Sequence, residues 1–191
     1  MAMIWPCLQE TSFFIYAFET AAKAFALTDR ADLVGKAISI LANKAGIYGM
    51  IGGQSVDVEY TDRPVTKSQL EFIYELKTAA LLEAAMMIGA VLAGADDNQV
   101  KAAEQIAHHV GMAFQIRDDI LDVISTTEEL GKPVKSDEKN NKTTYVTIYG
   151  LDGASKLVEE YSHTAMTLLD QVCPNASFLK RLFEYLIVRK K

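Results

Sequence analysis

The stretch Phe114-Gln115-Ile116-Arg117-Asp118-Asp119-Ile120-Leu121-Asp122-Val123 carries three aspartates, at i, i+1 and i+4, in an apolar run with one basic residue. At about 100° per residue on an α-helix, with Asp118 as zero, Asp122 lies near 40° and Asp119 near 100°. Phe114 falls at about −40°, Gly111 at about 20° and Gln115 at about 60°, so one face carries carboxylates, an amide, an aromatic ring and a gap. Met112, Ala113, Ile116, Ile120, Leu121 and Ile124 fill the other directions. The stretch therefore reads as a helix buried over much of its circumference, with one polar stripe lining a cavity or the surface. Like charges this close raise one another's pKa unless something neutralises them. A divalent ion such as Mg²⁺ would do so, taking one or two carboxylates directly and completing its shell with water and phosphate oxygens. A solvated acidic face is the common alternative for such residues, and spacing alone leaves both readings open.

Working outward, helical periodicity continues. Phe13 to Ala26 reads as a helix that is apolar nearly all round, implying burial or a partner surface. Leu33 to about Glu59 continues helical, interrupted by Gly46, Gly49, Gly52 and Gly53, small residues that let another backbone or a ligand approach closely. Thr66-Lys67-Ser68-Gln69 is a capping-box start for a long helix through Leu92. Asp96-Asp97 caps the next, which runs to Val110 and on toward the aspartates. Thr143 to Tyr149 has strand-like propensity but nothing to pair with, so it is read as helix. Asp152 is read as the cap of a helix to about Val172, and Pro174-Asn175 separates that from a last helix ending in Arg189-Lys190-Lys191. The expectation is one all-α domain over residues 1–191.

The 191 residues are half hydrophobic, enough to bury roughly 70% of the unfolded surface. A net charge of −6 provides no basic field for nucleic acid. Cys7 and Cys173 make neither a disulfide framework nor a zinc site, so a reducing cytoplasm is the expected location. The N-terminus lacks the basic start and cleavage site of a signal peptide, and the apolar run Ala84–Ala95 is too short to span a bilayer.

The polar segment after the aspartates, Ser125 to Lys142, holds Lys132, Lys135, Lys139 and Lys142. Acidic metal ligands beside a cluster of ammonium groups are what a diphosphate leaving group requires, since both neutralise charge as it departs. Lysines in a polar loop are also commonly solvated bystanders. Lys77-Thr78 is a second candidate phosphate contact, because a lysine opening an apolar helical run needs an anionic partner if buried.

Taken together, Tyr16-Ala17-Phe18-Glu19, Gly53-Gln54-Ser55-Val56-Asp57, Lys77-Thr78, Gly111 to Val123, Gly131-Lys132-Pro133, Asp137 and Asn141-Lys142-Thr143-Thr144-Tyr145 resemble the trans-isoprenyl diphosphate synthases. The resemblance is to the bacterial farnesyl diphosphate synthase (geranyltranstransferase) group, and it runs from about Tyr16 to the C-terminus. It implies the C-terminal portion of an isoprenoid-synthase-type helical bundle, homodimeric and using Mg²⁺. The implied reaction condenses an allylic diphosphate (dimethylallyl or geranyl) with isopentenyl diphosphate to give farnesyl diphosphate. Carried over by position, Asp118, Asp119 and Asp122 would hold the Mg²⁺–diphosphate. Lys77, Lys132 and Lys142 would bind diphosphate oxygens, Thr78 and Gln115 would position the allylic end, and Phe114 would flank the hydrocarbon. Lys77, Thr78, Gln115 and Asp118 would be the catalytic set. Gln54 and Asp57 are equally well read as packing contacts, and the basic C-terminus resembles the tail that closes over the site.

Two departures stand out. Only the second of the family's two aspartate-rich motifs is present, without the arginine pair that follows the first, and residues 1–12 are an atypical start. Lys135 stands where glycine is usual. The chain alone is therefore expected to be inactive as a prenyltransferase. A non-catalytic, dimerising regulatory subunit and a class I terpene cyclase are the competing readings, and Lys77-Thr78 and Gly131-Lys132 favour the synthase pattern over the cyclase.

Overall fold

A computed structural model describes residues 4–61, 63–125 and 142–189. These residues form eight α-helices: α1 (Ile4–Ala22), α2 (Ala31–Ala45), α3 (Met50–Glu59), α4 (Lys67–Tyr74), α5 (Ala80–Leu92), α6 (Asp97–Ile124), α7 (Tyr145–Val172) and α8 (Ser177–Val188). A 3₁₀ turn, Lys23–Ala26, follows α1, and a π-helical segment, Glu75–Ala79, joins α4 to α5. No strand occurs among the described residues.

The starts of the helices follow local chemistry. Thr66 accepts from the Gln69 backbone N–H while the Gln69 side chain accepts from the Thr66 N–H, which satisfies donors that a helix start otherwise leaves orphaned. Asp96 and Gln99 do the same for α6, which then continues through the aspartates without a break. Thr144 and Thr147 form a third such pair at α7, and this cap outweighs the strand propensity of Thr143–Tyr149. Asp152 therefore lies inside α7 and is not its cap. The register is interrupted at Gly150, whose φ of 72° is a conformation that glycine adopts readily. The expected helix from Leu33 to Glu59 is two, α2 and α3, separated at Gly46–Gly49.

α6 and α7 form the centre. Met112, Ala113, Ile116 and Ile120 of α6 meet Leu70, Ile73 and Tyr74 of α4 and Tyr145, Ala154 and Val158 of α7. Ile116 is wholly buried, and burial of that kind contributes about 1.5–3 kcal/mol per side chain. Further along, Ile106 and Val110 pack on Ala165, Leu169 and Phe183, which seats α8. At Gly111, α6 lies so close to the π segment that an added Cβ would fall 2.6 Å from the Ala79 Cβ. The apolar first helix leaves Phe13 76%, Ile15 63% and Tyr16 59% exposed, so the described residues do not cover that face.

Candidate active site

Asp118, Asp119 and Asp122 of α6 sit in three different settings. Asp118 is partly exposed and pairs with the guanidinium of Arg189, at the end of α8. The Arg189 Cζ lies 3.8 Å from the centre of the Phe114 ring, a cation–π stack. Arg117 donates through Nε and a terminal nitrogen to the Arg189 carbonyl at 3.4 and 3.3 Å, holding this terminus against α6. Asp119 is turned about 100° away, toward α4 and α7, and is buried. The Tyr74 hydroxyl lies 2.8 Å from each of its oxygens, and the Tyr145 backbone N–H donates to Oδ2 at 2.9 Å. Asp122, one turn beyond Asp118, is buried as well.

The lysines are organised by a residue whose role the sequence left open. Asp57 of α3 accepts from Lys77 Nζ at 2.5 Å and faces Lys142 Nζ at 3.5 Å. Burial works to raise the Asp57 pKa, but the Lys77 hydrogen bond and the two ammonium charges outweigh it and hold the carboxyl below its ordinary value. Lys77 lies in the π segment and Lys142 just before α7, so elements far apart in sequence deliver two cations to one point. The Lys77 backbone nitrogen would be 2.4 Å from a Cβ at Gly53, so this glycine sets how closely α3 can approach the segment. A cleft of about 310 Å³ opens beside Asp57 and Lys142, lined also by Tyr60, Thr61, Arg63 and Thr143. Thr78, next to Lys77, donates to the Gln115 side-chain oxygen at 2.8 Å, which joins the π segment to the polar stripe of α6.

That stripe continues away from the aspartates through Gly111 and His108 to Glu104. There Lys44 of α2 contacts Glu83 and Glu104 at 2.5 Å each, and His108 Nδ1 lies 3.1 Å from the other Glu83 oxygen. Burial raises the Glu83 pKa, but His108 and Lys44 reverse this and hold it below the ordinary value. The Glu83 hydrogen bond raises that of His108, against the effect of burial.

The structure thus brings Lys77 and Lys142 together, joins Thr78 to Gln115, and places Asp118 beside Phe114 through Arg189. Lys132 and Lys135 lie outside the described residues. Among the described residues, no three carboxylate, imidazole or thiol groups converge as a metal site. Sequence reasoning gave no role to Tyr74 and a divided one to Asp57. The Gly53-to-Asp57 match signalled Asp57, whereas nothing local signalled Tyr74.

A family model described as polyprenyl synthetase matches residues 12–175. The farnesyl diphosphate synthase of Geobacillus stearothermophilus is 38% identical over 152 residues, which cover 80% of this chain and 51% of that protein. The geranylgeranyl diphosphate synthase of Cyanophora paradoxa is 42% identical over 130 residues, covering 68% of this chain and 43% of that one. Among solved structures, the Helicobacter pylori geranyltransferase complexed with magnesium and isoprenyl diphosphate superposes with a TM-score of 0.75 at 31% identity. That superposition covers 91% of this chain and 56% of the Helicobacter chain. The chain spans about half the length of the curated relatives it matches. With helices, motif order and extended similarity in agreement, the chain belongs to the polyprenyl synthetase family.

Proposed function

We propose that this chain supplies the diphosphate-holding half of a prenyltransferase centre. The complete enzyme would condense an allylic prenyl diphosphate with isopentenyl diphosphate to give farnesyl diphosphate. The observation that carries this reading is the convergence of Lys77 and Lys142 on a single anionic point, beside the polar stripe of α6. Two ammonium groups held in register are suited to the oxygens of a diphosphate, and their attraction strengthens as negative charge grows on the leaving group. Asp57 keeps both cations in place before the ligand arrives. Thr78 and Gln115 orient the allylic end, and the Phe114 ring flanks the hydrocarbon. Lys132 belongs to the same proposed set by its place in the sequence.

Mg²⁺ would be held by Asp118, with Asp122 one turn further on, and when bound it would neutralise the departing diphosphate. Arg189 provides a positive charge at Asp118. A cytoplasmic homodimer is the proposed assembly, and the exposed Phe13, Ile15 and Tyr16 leave an apolar surface for a partner subunit.

Titration calorimetry with Mg²⁺, with and without inorganic diphosphate, tests the reading. Mg²⁺ binds much more tightly with diphosphate present, because one or two carboxylates alone leave its octahedral shell mostly water. Asp118→Ala removes that enhancement, while Asp96→Ala, at a helix cap, leaves it intact. Equal Mg²⁺ affinity with and without diphosphate would sink the proposal.

A further inference from the structure

We infer that Asp119 is a positioning residue, which sets the two diphosphate-facing lysines and is not itself a metal ligand. The inference rests on the reading of Lys77 and Lys142 given above. Asp119 accepts from the Tyr74 hydroxyl and from the Tyr145 backbone N–H, and all three residues are buried. Tyr74 is the last residue of α4, and Lys77 follows three residues later in the π segment. Tyr145 is the first residue of α7, and Lys142 precedes it by three. One carboxylate on the central helix therefore fixes the root of each lysine-bearing segment, and both lysines meet at Asp57.

The chemistry favours this role. The N-terminus of α7 presents N–H groups that lack intrahelical acceptors and the positive end of the helix dipole, and a buried carboxylate there is stabilised by both. Tyr74 and Tyr145 also touch directly, with ring centres 5.3 Å apart, so the two anchored segments share one packed contact. Asp118, one residue earlier, points about 100° away and meets the charge of a long side chain, Arg189. The adjacent aspartates thus divide the work, one facing ligand and the other facing the scaffold.

Inorganic diphosphate binding without Mg²⁺, measured by calorimetry on the whole chain, separates the alternatives. Removing a negative charge near an anion site by electrostatics alone tightens anion binding. A positioning role reverses that sign: Asp119→Ala weakens diphosphate binding about tenfold or more, and Tyr74→Phe, which leaves the charge in place, weakens it in the same direction. In a Lys77→Ala, Lys142→Ala background, Asp119→Ala has no further effect. Asp118→Ala loses the Mg²⁺ enhancement. Should Asp119→Ala bind diphosphate as well as the parent and lose the Mg²⁺ enhancement, Asp119 is a metal ligand and the inference fails.

If the parent chain binds no diphosphate, the functional reading fails, and lysine labelling decides the positioning role. Competitive acetylation read by mass spectrometry shows Lys77 and Lys142 reacting faster, relative to Lys36 and Lys67, in Asp119→Ala than in the parent. Unchanged relative rates overturn the inference. Asp119→Asn, which keeps one acceptor oxygen for Tyr145, serves where the alanine variant does not fold, and it shifts both readouts in the same direction by less.

Discussion

Gly53→Ala probes the approach of α3 to the π segment directly. A Cβ built there lies 2.4 Å from the Lys77 backbone nitrogen, 2.8 Å from the Leu76 Cβ and 2.9 Å from the Leu76 carbonyl carbon. Ordinary heavy-atom contacts are about 3.5–4.0 Å, so α3 and the segment must part by about 1 Å. Backbone cannot swing aside as a side-chain tip can. Overpacking of this kind costs about 1–3 kcal/mol, while replacing glycine inside a helix returns about 0.5–1 kcal/mol. The net loss is centred on about 1 kcal/mol, within about 0–2.5. Urea unfolding followed by circular dichroism should therefore show a midpoint lowered by roughly 0.5–1 M, at typical slopes for a small protein. Gly89→Ala is the matched control, because a Cβ added there meets nothing within 4 Å and the residue is exposed within α5. That variant gains stability, by about 0.5–1 kcal/mol. A midpoint for Gly53→Ala that rises alongside Gly89→Ala would refute the close-approach reasoning, and with it the claim that this glycine sets where Lys77 stands.

Two further outcomes follow from the charged contacts. The raised His108 pKa contributes stability that is fully present below its unfolded value of 6.5 and is lost as pH rises through the folded value. The depressed Glu83 pKa contributes stability present above 4.5 and lost as pH falls through its folded value. The groups facing this pair, Lys44 from α2, Glu75 from the π segment and Glu104 from α6, leave the cluster most stabilising between about pH 4.5 and 6.5. Urea midpoints at pH 5.5 and 8 should fall more for the parent than for His108→Gln, and equal falls would contradict the assignment. Arg189→Ala removes the cation from Asp118, so Mg²⁺ in the presence of inorganic diphosphate should bind severalfold more tightly by calorimetry; unchanged affinity would mean that Arg189 and the ion do not compete.

The readable parts of this fold were those fixed by neighbours in sequence. Thr66 with Gln69 and Asp96 with Gln99 announce helix starts because cap and partner stand three residues apart. Thr143–Tyr149 was readable as helix only by elimination, since its own propensity points the other way. The π segment left no local trace, because it depends on how closely Gly53 and Gly111 allow α3 and α6 to approach. Asp57 collects Lys77 from 20 residues away and Lys142 from 85, distances over which no pattern in the chain pairs a carboxylate with a cation. The helical wheel placed Asp119 at the edge of the aspartate face, but what lies beyond that edge depended on Tyr74 and Tyr145, which only packing could bring there.

The break at Gly150 has a consequence for the time the molecule spends open. Tyr145 to Tyr149 form barely more than one turn, bounded by the Thr144 cap on one side and the interruption on the other. A piece that short cannot sustain itself by helix propagation. The Tyr145 amide is held by Asp119 of α6 and those of Thr147 and Ile148 by Thr144, while the longer stretch beyond Gly150 has its own packed face. The segment next to Lys142 is thus a small unit with its own opening equilibrium, expected to fray and re-dock on a faster clock than global unfolding, at the cost of withdrawing Tyr145 from its contact with α6.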